Sequence, residues 1–368
     1  MNSDRAQAEK FLNASTRQLV WWRYKKHTLA MIGLVALIGM YFAAVFCEFL
    51  SPYARDTRHL CAIYAPPSRI HIFDEEGRIH WPFVYGRNLE VDVETQRMCY
   101  FADPTKRYPI RFFVRGEPYL FWGLWESDLH LFGVEEPGEL YLFGTDRMGR
   151  DMFTRCLYGS RISLSIGMVG VFLSLILGLA LGGISGYSGG WPDGVIQRII
   201  EIIRCFPSIP LWMGLAAAMP PHWPPLKVYF TITVILSLIG WTDLARVVRG
   251  KLMALREEDF VLAARFSGAG HGRIIFRHLL PSFMSHIIVT VTLAIPSMVL
   301  AETALSFLGI GLQPPITSLG VLLKEAQNVT TIALYPWLLI PVAFVILIVL
   351  SFNFAGDGLR DAVDPYSR

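Results

Sequence analysis

The chain has 368 residues, and 17% of them are charged, against roughly a quarter in ordinary soluble domains. This composition, with a mean hydropathy of +0.42, excludes a disordered chain, a coiled coil and a small disulfide-rich scaffold, and it argues against a purely soluble enzyme because the apolar residues are bunched. The formal net charge of +3 is too small to indicate a nucleic-acid partner, and a mild basic excess is typical of chains that face anionic lipid.

The first apolar run predicts a membrane-spanning helix over residues 28–50, with Glu48 as its one charge. At 1.5 Å per residue it extends about 35 Å, enough to cross a hydrocarbon core of ~30 Å. Six lysines and arginines precede the run, against two acids, which predicts that the segment 1–27 is cytoplasmic. A cleavable signal peptide is the weaker alternative, because the run is too long and no A-x-A site follows it.

Residues 51–158 cannot lie in lipid, because they contain 13 lysines and arginines and 16 acids. Two stretches of alternating apolar residues predict β-hairpins, one turning around 74–77 and one around Arg115 and Gly116. We therefore expect a small β-rich domain outside the cytoplasm. Cys61 and Cys99 lie in it, and the sequence leaves open whether they form a disulfide or remain unpaired.

Further apolar runs predict a core of five more spans between residues 159 and 355, followed by a cytoplasmic tail, 356–368. The loop 246–281 carries seven lysines and arginines, whereas the connections 220–225 and 306–331 carry one lysine between them. This asymmetry favours six spans with both termini inside. The five runs cover residues 161–184, 194–219, 226–248, 283–305 and 332–352.

The loop 246–281 contains the pattern of two short helices joined by a glycine turn. Acidic residues at 257–259 suit the first turn of one helix, Gly268 and Gly270 end it, and a second helix starts at His271. Such a projection could dock in a groove on a cytoplasmic partner. The alternative is an ordinary basic loop that touches lipid head groups.

The pattern Ala263-Ala264-x-x-x-Gly268, followed by Leu280-Pro281, resembles the "EAA" loop in permease subunits of bacterial ABC importers. The surrounding residues, FVLAARFSGAGHGRIIFRHLLPS, are similar to the version found in oligopeptide and dipeptide permeases, of the second permease type. Two features depart from that family: Leu262 occupies the position of the motif's glutamate, and the insert 54–140 is long. Further matching segments are 144–164, 182–193, 302–315 and 352–365.

The resemblance implies an all-α inner-membrane protein with six transmembrane helices of the ABC importer permease type and a small β-rich periplasmic insert between the first two. It implies half of a translocation path for peptides that a periplasmic binding protein delivers, with oligosaccharides or opines as the alternative cargo. A second permease subunit and two ATPase subunits, which bind ATP and magnesium, are the implied partners. The implied ATPase contacts are Phe260, Val261, Ala263, Ala264, Arg265, Gly268, Ala269, Leu280 and Pro281.

No cofactor or metal is expected in this chain, because it has neither G-x-x-x-x-G-K-[ST] nor H-E-x-x-H. Five charged residues are candidates for the path or for periplasmic contacts, although ordinary ion pairs and interfacial solvation would also explain them. A membrane enzyme with an outer active site, and a proton-coupled carrier, are alternatives of other classes. The five candidates are Glu201, Asp243, Glu302, Asp146 and Arg150.

Overall fold

The computed structural model describes residues 15–74, 76–91, 98–220 and 222–364. The predicted N-terminal segment and C-terminal tail therefore lie partly outside the described residues. The chain divides into two compact units, each treated by itself below. Unit 1 comprises the described residues of Met1–Gly39, Leu164–Leu305 and Ile346–Arg368, and unit 2 comprises those of Met40–Ser163 and Ser306–Val345.

Helices dominate the described chain. The helices are α1 (Thr16–Lys26), α2 (Thr28–Val45), α3 (Cys47–Leu50), α4 (Met152–Ser188), α5 (Gly190–Cys205), α6 (Ser208–Ala217), α7 (Pro225–Leu255), α8 (Asp259–Phe266), α9 (His271–Arg273), α10 (Leu280–Ser282), α11 (Met284–Phe307), α12 (Leu319–Glu325), α13 (Val329–Leu334) and α14 (Ile340–Val363). Turns of 3₁₀ helix lie at Leu60–Ala62 and Pro336–Leu339, and a π-helical turn lies at Ile274–Leu279.

Five helical segments are long and apolar enough to cross a membrane: α2, α4, α7, α11 and the segment Pro336–Val363. The predicted run 194–219 is not one straight helix, since α5 and α6 are bent by 86° at the break between them. Phe206 is extended there and Pro207 precedes α6, as expected because proline lacks an N–H and disfavours helix at the residue before it. If the bent pair is one span, the described chain has six.

The other predicted helices are present with different ends. The run 28–50 is interrupted at Phe46, so α2 stops at Val45 and the short α3 follows. The run 161–184 lies inside α4, which has 37 residues and at 1.5 Å per residue measures about 56 Å. Hydropathy located the part of α4 that fits a bilayer, but it could not show that the polar residues before it continue the same helix.

In unit 1, α4 and α7 approach closely along a row of glycines spaced four apart. A Cβ added at Gly178 would lie 2.9 Å from the side chain of Leu244, and one added at Gly182 would lie 2.6 Å from the carbonyl oxygen of Ala245. At Gly186 it would lie 2.8 Å from the carbonyl oxygen of Arg249. Small residues at such spacing let two helix backbones meet in a membrane.

In unit 2, the strands form two antiparallel sheets, ordered β1-β2-β3 and β4-β5. The predicted hairpin around 74–77 is confirmed, because His71 of β1 pairs with Phe83 of β2. Asp74 closes its turn by accepting hydrogen bonds from the amides of Glu76 and Arg78, while residue 75 lies outside the described residues. The strands are β1 (His71–Phe73), β2 (Ile79–Val91), β3 (Met98–Pro109), β4 (Arg111–Phe121) and β5 (Trp125–Gly133).

The prediction of a second turn at Arg115 and Gly116 is wrong. Both residues lie within β4, and the chain reverses at Trp122 and Gly123, which have φ of 52° and 71°. Gly116 is needed for a different reason: a Cβ there would lie 2.9 Å from the ring of His130. A glycine inside a strand can therefore mark a close approach rather than a turn.

The disulfide left open between Cys61 and Cys99 is not formed, and both cysteines are free thiols. Cys61 lies in the exposed 3₁₀ turn at Leu60–Ala62, and Cys99 lies half-buried in β3. The fold of this part of unit 2 depends instead on strand pairing and on small apolar clusters, one of them built on Val84, Ile110 and Leu140.

Candidate functional site

The segment after α7 folds into a compact projection, which we call the knob (residues 257–282). Its first helix, α8, begins after the extended residue Glu258 and ends at Phe266, with Ser267 as its C-cap residue. Gly268 then adopts a φ of +78°, a conformation that favours glycine, and the amide of Ala269 donates to the carbonyl of Ala264 at 3.0 Å. The predicted glycine turn between two short helices is therefore present.

The second half of the knob is helical from His271 to Ser282, through α9, the π-helical turn and α10. Its apolar side faces inward, with Ile274 and Leu279 almost fully buried. Together with Val261 of α8, they belong to a cluster that includes Val248 and Leu252 of α7. The knob therefore has its own core, continuous with the end of a long membrane helix.

A second helix, α4, meets the knob through Tyr187. The ring of His271 stands edge-on to the ring of Tyr187, with centroids 5.4 Å apart. The guanidinium of Arg265 lies 5.4 Å from the centroid of the same ring, a distance suited to a cation–π contact. Because α4 also packs on α7 through its glycine row, the knob is fixed to a pair of helices that are in close contact.

A polar clamp ties the ends of α4, α5 and α7 together beside the knob. Arg249 of α7 donates from Nε and Nη2 to the two carboxylate oxygens of Asp193, each at 2.6 Å. Ser185 of α4 donates to the same carboxylate, and Gln197 donates to the Ser185 hydroxyl at 3.1 Å. A two-point arginine–carboxylate contact fixes orientation as well as distance.

The structure divides the predicted ATPase contacts by exposure. Val261 and Leu280 are buried within the chain's own core, so their side chains are not free to touch a partner. Ala264 and Ala269 are half-buried against that core. The exposed members are Phe260, Ala263, Arg265, Gly268 and Pro281.

Sequence reasoning missed the most exposed aromatic side chains of the knob. Phe266, at the end of α8, is 91% exposed, and Phe276 is 71% exposed. Large apolar side chains left in water mark interaction surfaces. A helical-wheel comparison could have found Phe266, because it lies five residues from the buried Val261 and so on a different face of α8.

A cavity of about 310 Å³ opens among the membrane helices of unit 1. Its lining is largely apolar, with hydroxyls from Ser174, Ser208, Thr290 and Ser297 and the carboxylate of Asp243. Ser208 lies directly after the break at Pro207, and Trp212 of α6 also lines the cavity. Irregular backbone at membrane depth is tolerated where it lines a cavity, so the bent span and the cavity fit each other.

The other candidates in unit 1 lie in different settings. Asp243 lines the cavity and forms an ion pair with Arg204. Glu201 forms an exposed ion pair with Arg198 at 3.0 Å, the ordinary alternative weighed from the sequence. Glu302 is fully buried in α11 and is not among the residues that line the cavity.

In unit 2, Asp146 and Arg150 are both buried. Arg150 Nε lies 2.7 Å from Asp146 Oδ2, and Arg155 pairs with the same carboxylate. Both arginines also lie 3.2 Å from Glu325 Oε1 of α12. This network occupies the side chains that were candidates for periplasmic contacts, and the structure leaves little of either residue for a docking protein.

Two family profiles match the chain. Residues 178–368 match the binding-protein-dependent transport system inner membrane component, and residues 15–67 match the N-terminal transmembrane domain of oligopeptide transport permease C. The first match covers the knob, the cavity-lining residues of α6, α7 and α11, and the last helix.

Several named proteins are similar in sequence. The dipeptide transport system permease protein DppC of Bacillus subtilis is 33% identical over 99% of this chain and 90% of its own length. The oligopeptide transport system permease protein OppC of the same organism is 38% identical over 63% of this chain and 74% of its own. A solved structure of the MetNI methionine ABC transporter is 19% identical, with a TM-score of 0.45 over 58% of this chain and 98% of that chain.

The apolar helices and the match to a transport family together make this chain a multi-pass membrane protein of the transport class. The full-length similarity makes the assignment specific: this chain belongs to the family of binding-protein-dependent transport system inner membrane components. It is an inner-membrane permease subunit of an ABC importer and not an enzyme.

Proposed function

We propose that the chain is one of two permease subunits of an ATP-driven importer of peptides, and that the knob is where ATP-hydrolysing subunits push on it. The peptide cargo is supported by the names of the relatives, which are oligopeptide and dipeptide permeases. A substrate-binding protein, a second permease and two ATPase subunits complete the proposed assembly. ATP and magnesium are assigned to the ATPase subunits, since this chain lacks a phosphate-binding loop motif.

The observation that carries the proposal is the contrast within the knob between a buried core and an exposed Phe266. Val261 and Ile274 hold the knob on α7, whereas Phe266 points to solvent. The exposed aromatic side chain can bind a partner subunit, and the buried core can transmit that subunit's movement to α7. Movement at one site affects another when a packed element with two discrete arrangements connects them.

The cavity in unit 1 is the proposed section of the translocation path. It lies among α4, α6, α7 and α11, and α4 and α7 also carry the knob. A movement of the knob would therefore move two walls of the cavity. Asp243 is the proposed charged contact for cargo there, in competition with its ion pair to Arg204.

The proposed topology has six spans, with the bent pair α5–α6 counted as one and both termini cytoplasmic. It is supported by the basic loop 246–281, which contains the knob and carries seven lysines and arginines. The strands between α2 and α4 would then lie in the periplasm.

The test of the knob uses Phe266→Ala in the assembled transporter. We expect ATP-dependent uptake to fall at least tenfold while the level of the chain in the membrane is unchanged, because the side chain is 91% exposed and its loss leaves no cavity. Phe230→Ala is the matched control, since Phe230 is a 51% exposed phenylalanine of α7 outside the knob. Wild-type uptake by Phe266→Ala would contradict the coupling role.

A cross-linking experiment tests the partner directly. In the assembled complex, Phe266→Cys should cross-link to an ATP-hydrolysing subunit, and a water-soluble maleimide should react with it slowly. Fast maleimide labelling with no cross-link would show that no ATP-hydrolysing subunit covers the knob. The cargo is tested separately, by comparing uptake of labelled peptides, oligosaccharides and opines in cells with and without this chain.

A further inference from the structure

The hairpin of β4 and β5 ends in a group of exposed apolar side chains, which we call the hairpin tip (residues 120–125). Leu124 is 70% exposed, Trp125 66%, Leu120 54% and Trp122 53%. This group is too concentrated to be a set of scattered surface residues, and Trp122 and Gly123 project it by adopting the positive φ angles of a tight turn.

The hairpin is fixed to the end of a membrane-spanning helix. The indole Nε1 of Trp122 donates to the carbonyl oxygen of Val45, the last residue of α2, at 3.1 Å. The ring of Phe121 lies 6.0 Å from that of Phe46, and the ring of Phe113 lies 6.2 Å from that of Phe49. The tip therefore lies beside the terminus of α2.

The length of α2 sets the depth of that contact. Its 18 residues measure about 27 Å at 1.5 Å per residue, slightly less than a hydrocarbon core of ~30 Å. With α2 centred in the bilayer, Val45 would lie close to the level where the hydrocarbon meets the head groups, and so would Trp122, which is bonded to it. Val45 and Phe42 are themselves exposed apolar residues on the same helix.

The chemistry of the tip suits that level. Tryptophan is enriched at membrane interfaces because its ring is apolar and its N–H needs a polar partner. The guanidinium of Arg161 lies 5.3 Å from the ring centroid of Trp122 and forms an ion pair with Glu48 at 2.7 Å. Glu126 is exposed near the tip; it points to the face opposite Trp125, where it is the cross-strand partner of Leu120.

Farther from the turn, the hairpin carries charged side chains together with the exposed rings of Phe112 and Phe113. Arg115 of β4 and Asp128 of β5 form an ion pair there, 3.9 Å apart. One ring nitrogen of His130, Nδ1, is hydrogen-bonded to the backbone oxygen of Ser51. The other, Nε2, lies 2.9 Å from the backbone oxygen of Glu117. The hairpin thus ends in an apolar tip, and the part farther from the turn is held by an ion pair and by the two bonds of His130.

We propose that the hairpin tip inserts into the lipid leaflet at the Val45 end of α2, so that the β insert is anchored to the membrane surface at a second point. The occupant of the exposed apolar surface is the lipid interface, because the tip continues the exposed face of a spanning helix. The proposal does not depend on the cargo or on the coupling role of the knob.

Nitroxide labels measure the depth of the tip in the assembled transporter. The background carries Cys61→Ser, Cys99→Ser and Cys205→Ser, and the transporter is embedded in discs of phosphatidylethanolamine and phosphatidylglycerol. One label is placed at Leu124→Cys and the matched control at Phe101→Cys, since Phe101 is 53% exposed on β3 of the other sheet. Collision rates with oxygen, which concentrates in lipid, are compared with those of a water-soluble nickel chelate.

We expect the label at 124 to collide more often with oxygen than with the nickel chelate, and the label at 101 to show the reverse order. Three results would overturn the proposal. If the label at 124 collides with the nickel chelate as often as the control label does, the tip lies in water. If the label at 124 collides rarely with both oxygen and the nickel chelate, the tip is covered by protein. Protection that appears only when the binding protein is added identifies that protein as the occupant.

Discussion

The knob and the β4–β5 hairpin both present exposed aromatic side chains, but they are attached to the membrane helices in different ways. The knob is joined through a buried apolar cluster that includes Val261 and Leu252. The hairpin is joined by ring contacts and a few hydrogen bonds, among them Trp122 to Val45. A continuous core resists deformation because every displacement opens a void, whereas single contacts can be exchanged.

This difference separates an element that can transmit a movement from one that can only hold a position. The knob shares its core with α7 and contacts α4, so it cannot move without them. The hairpin contacts the end of α2 and the backbone at Ser51. We therefore expect changes near the knob to impair transport strongly and changes near the insert to act mainly on local stability.

The largest effect should come from breaking the glycine contact that joins α4 to α7. In Gly182→Ala, the new Cβ would lie 2.6 Å from the carbonyl oxygen of Ala245, so the helices must separate. Overpacking of this kind costs about 1–3 kcal/mol. We expect a lower melting temperature of the purified chain and a loss of most ATP-dependent uptake.

Gly183→Ala is the matched control for that change, because a Cβ at Gly183 meets no atom within 4 Å. It lies one residue away in the same helix and removes the same amount of backbone freedom. If the two variants melt and transport alike, close α4–α7 packing is not what supports the knob.

A smaller effect is expected from the clamp between Arg249 and Asp193. Arg249→Lys keeps the charge but cannot form two parallel bonds to the carboxylate. A loss of about 1 kcal/mol would slow uptake roughly fivefold if the clamp is needed to align the knob. Arg198→Lys serves as the control, since its pair with Glu201 is exposed and such pairs contribute little. If Arg249→Lys and Arg198→Lys transport equally well, the clamp is not needed to couple the knob to transport.

The sequence was sufficient to predict features that depend on local chemistry. Hydropathy located the apolar helices, and the acidic turn at 74–77 identified a real hairpin. The glycine turn at Gly268 was also correct, because a positive φ is a local requirement.

What the sequence could not show depends on residues far apart in the chain. Gly116 was interpreted as part of a turn, but it is a glycine because a side chain there would collide with the ring of His130. That ring is fourteen residues away along the chain, so the local sequence could not reveal the contact. The buried network around Asp146 includes Glu325, which lies 179 residues farther along the chain and shares Arg150 and Arg155 with it, so its membership could not be foreseen. Val261 and Leu280 were grouped with exposed residues because a motif gives positions along the chain and not the face that each side chain occupies.

The smallest effect on transport that we expect concerns Asp151, which precedes α4 in unit 2. Its Oδ2 accepts from the amide and the hydroxyl of Thr154, at 2.8 and 2.7 Å. Burial raises the pKa of this carboxyl from its ordinary value of 3.8 to about 6. The folded chain therefore binds a proton that the unfolded chain releases between these two values, and stability falls as the pH rises through this window and levels off above it.

Asp151→Asn retains an oxygen for Thr154 and has no charge to bury. Its melting temperature should therefore fall less than that of the unchanged chain between pH 4 and pH 7. Uptake should stay within about twofold at each pH, because Asp151 makes none of the contacts described above that hold the knob on α4 and α7. Asp151→Ala removes the acceptor of the Thr154 hydrogen bonds as well and should melt lower at every pH, which separates the effect of the hydrogen bonds from that of the titration. Parallel melting curves for the asparagine variant and the unchanged chain would show that Asp151 does not titrate in this range. A large loss of uptake in the asparagine variant would instead place the start of α4 in the coupling route, and the contrast between the two regions would no longer hold.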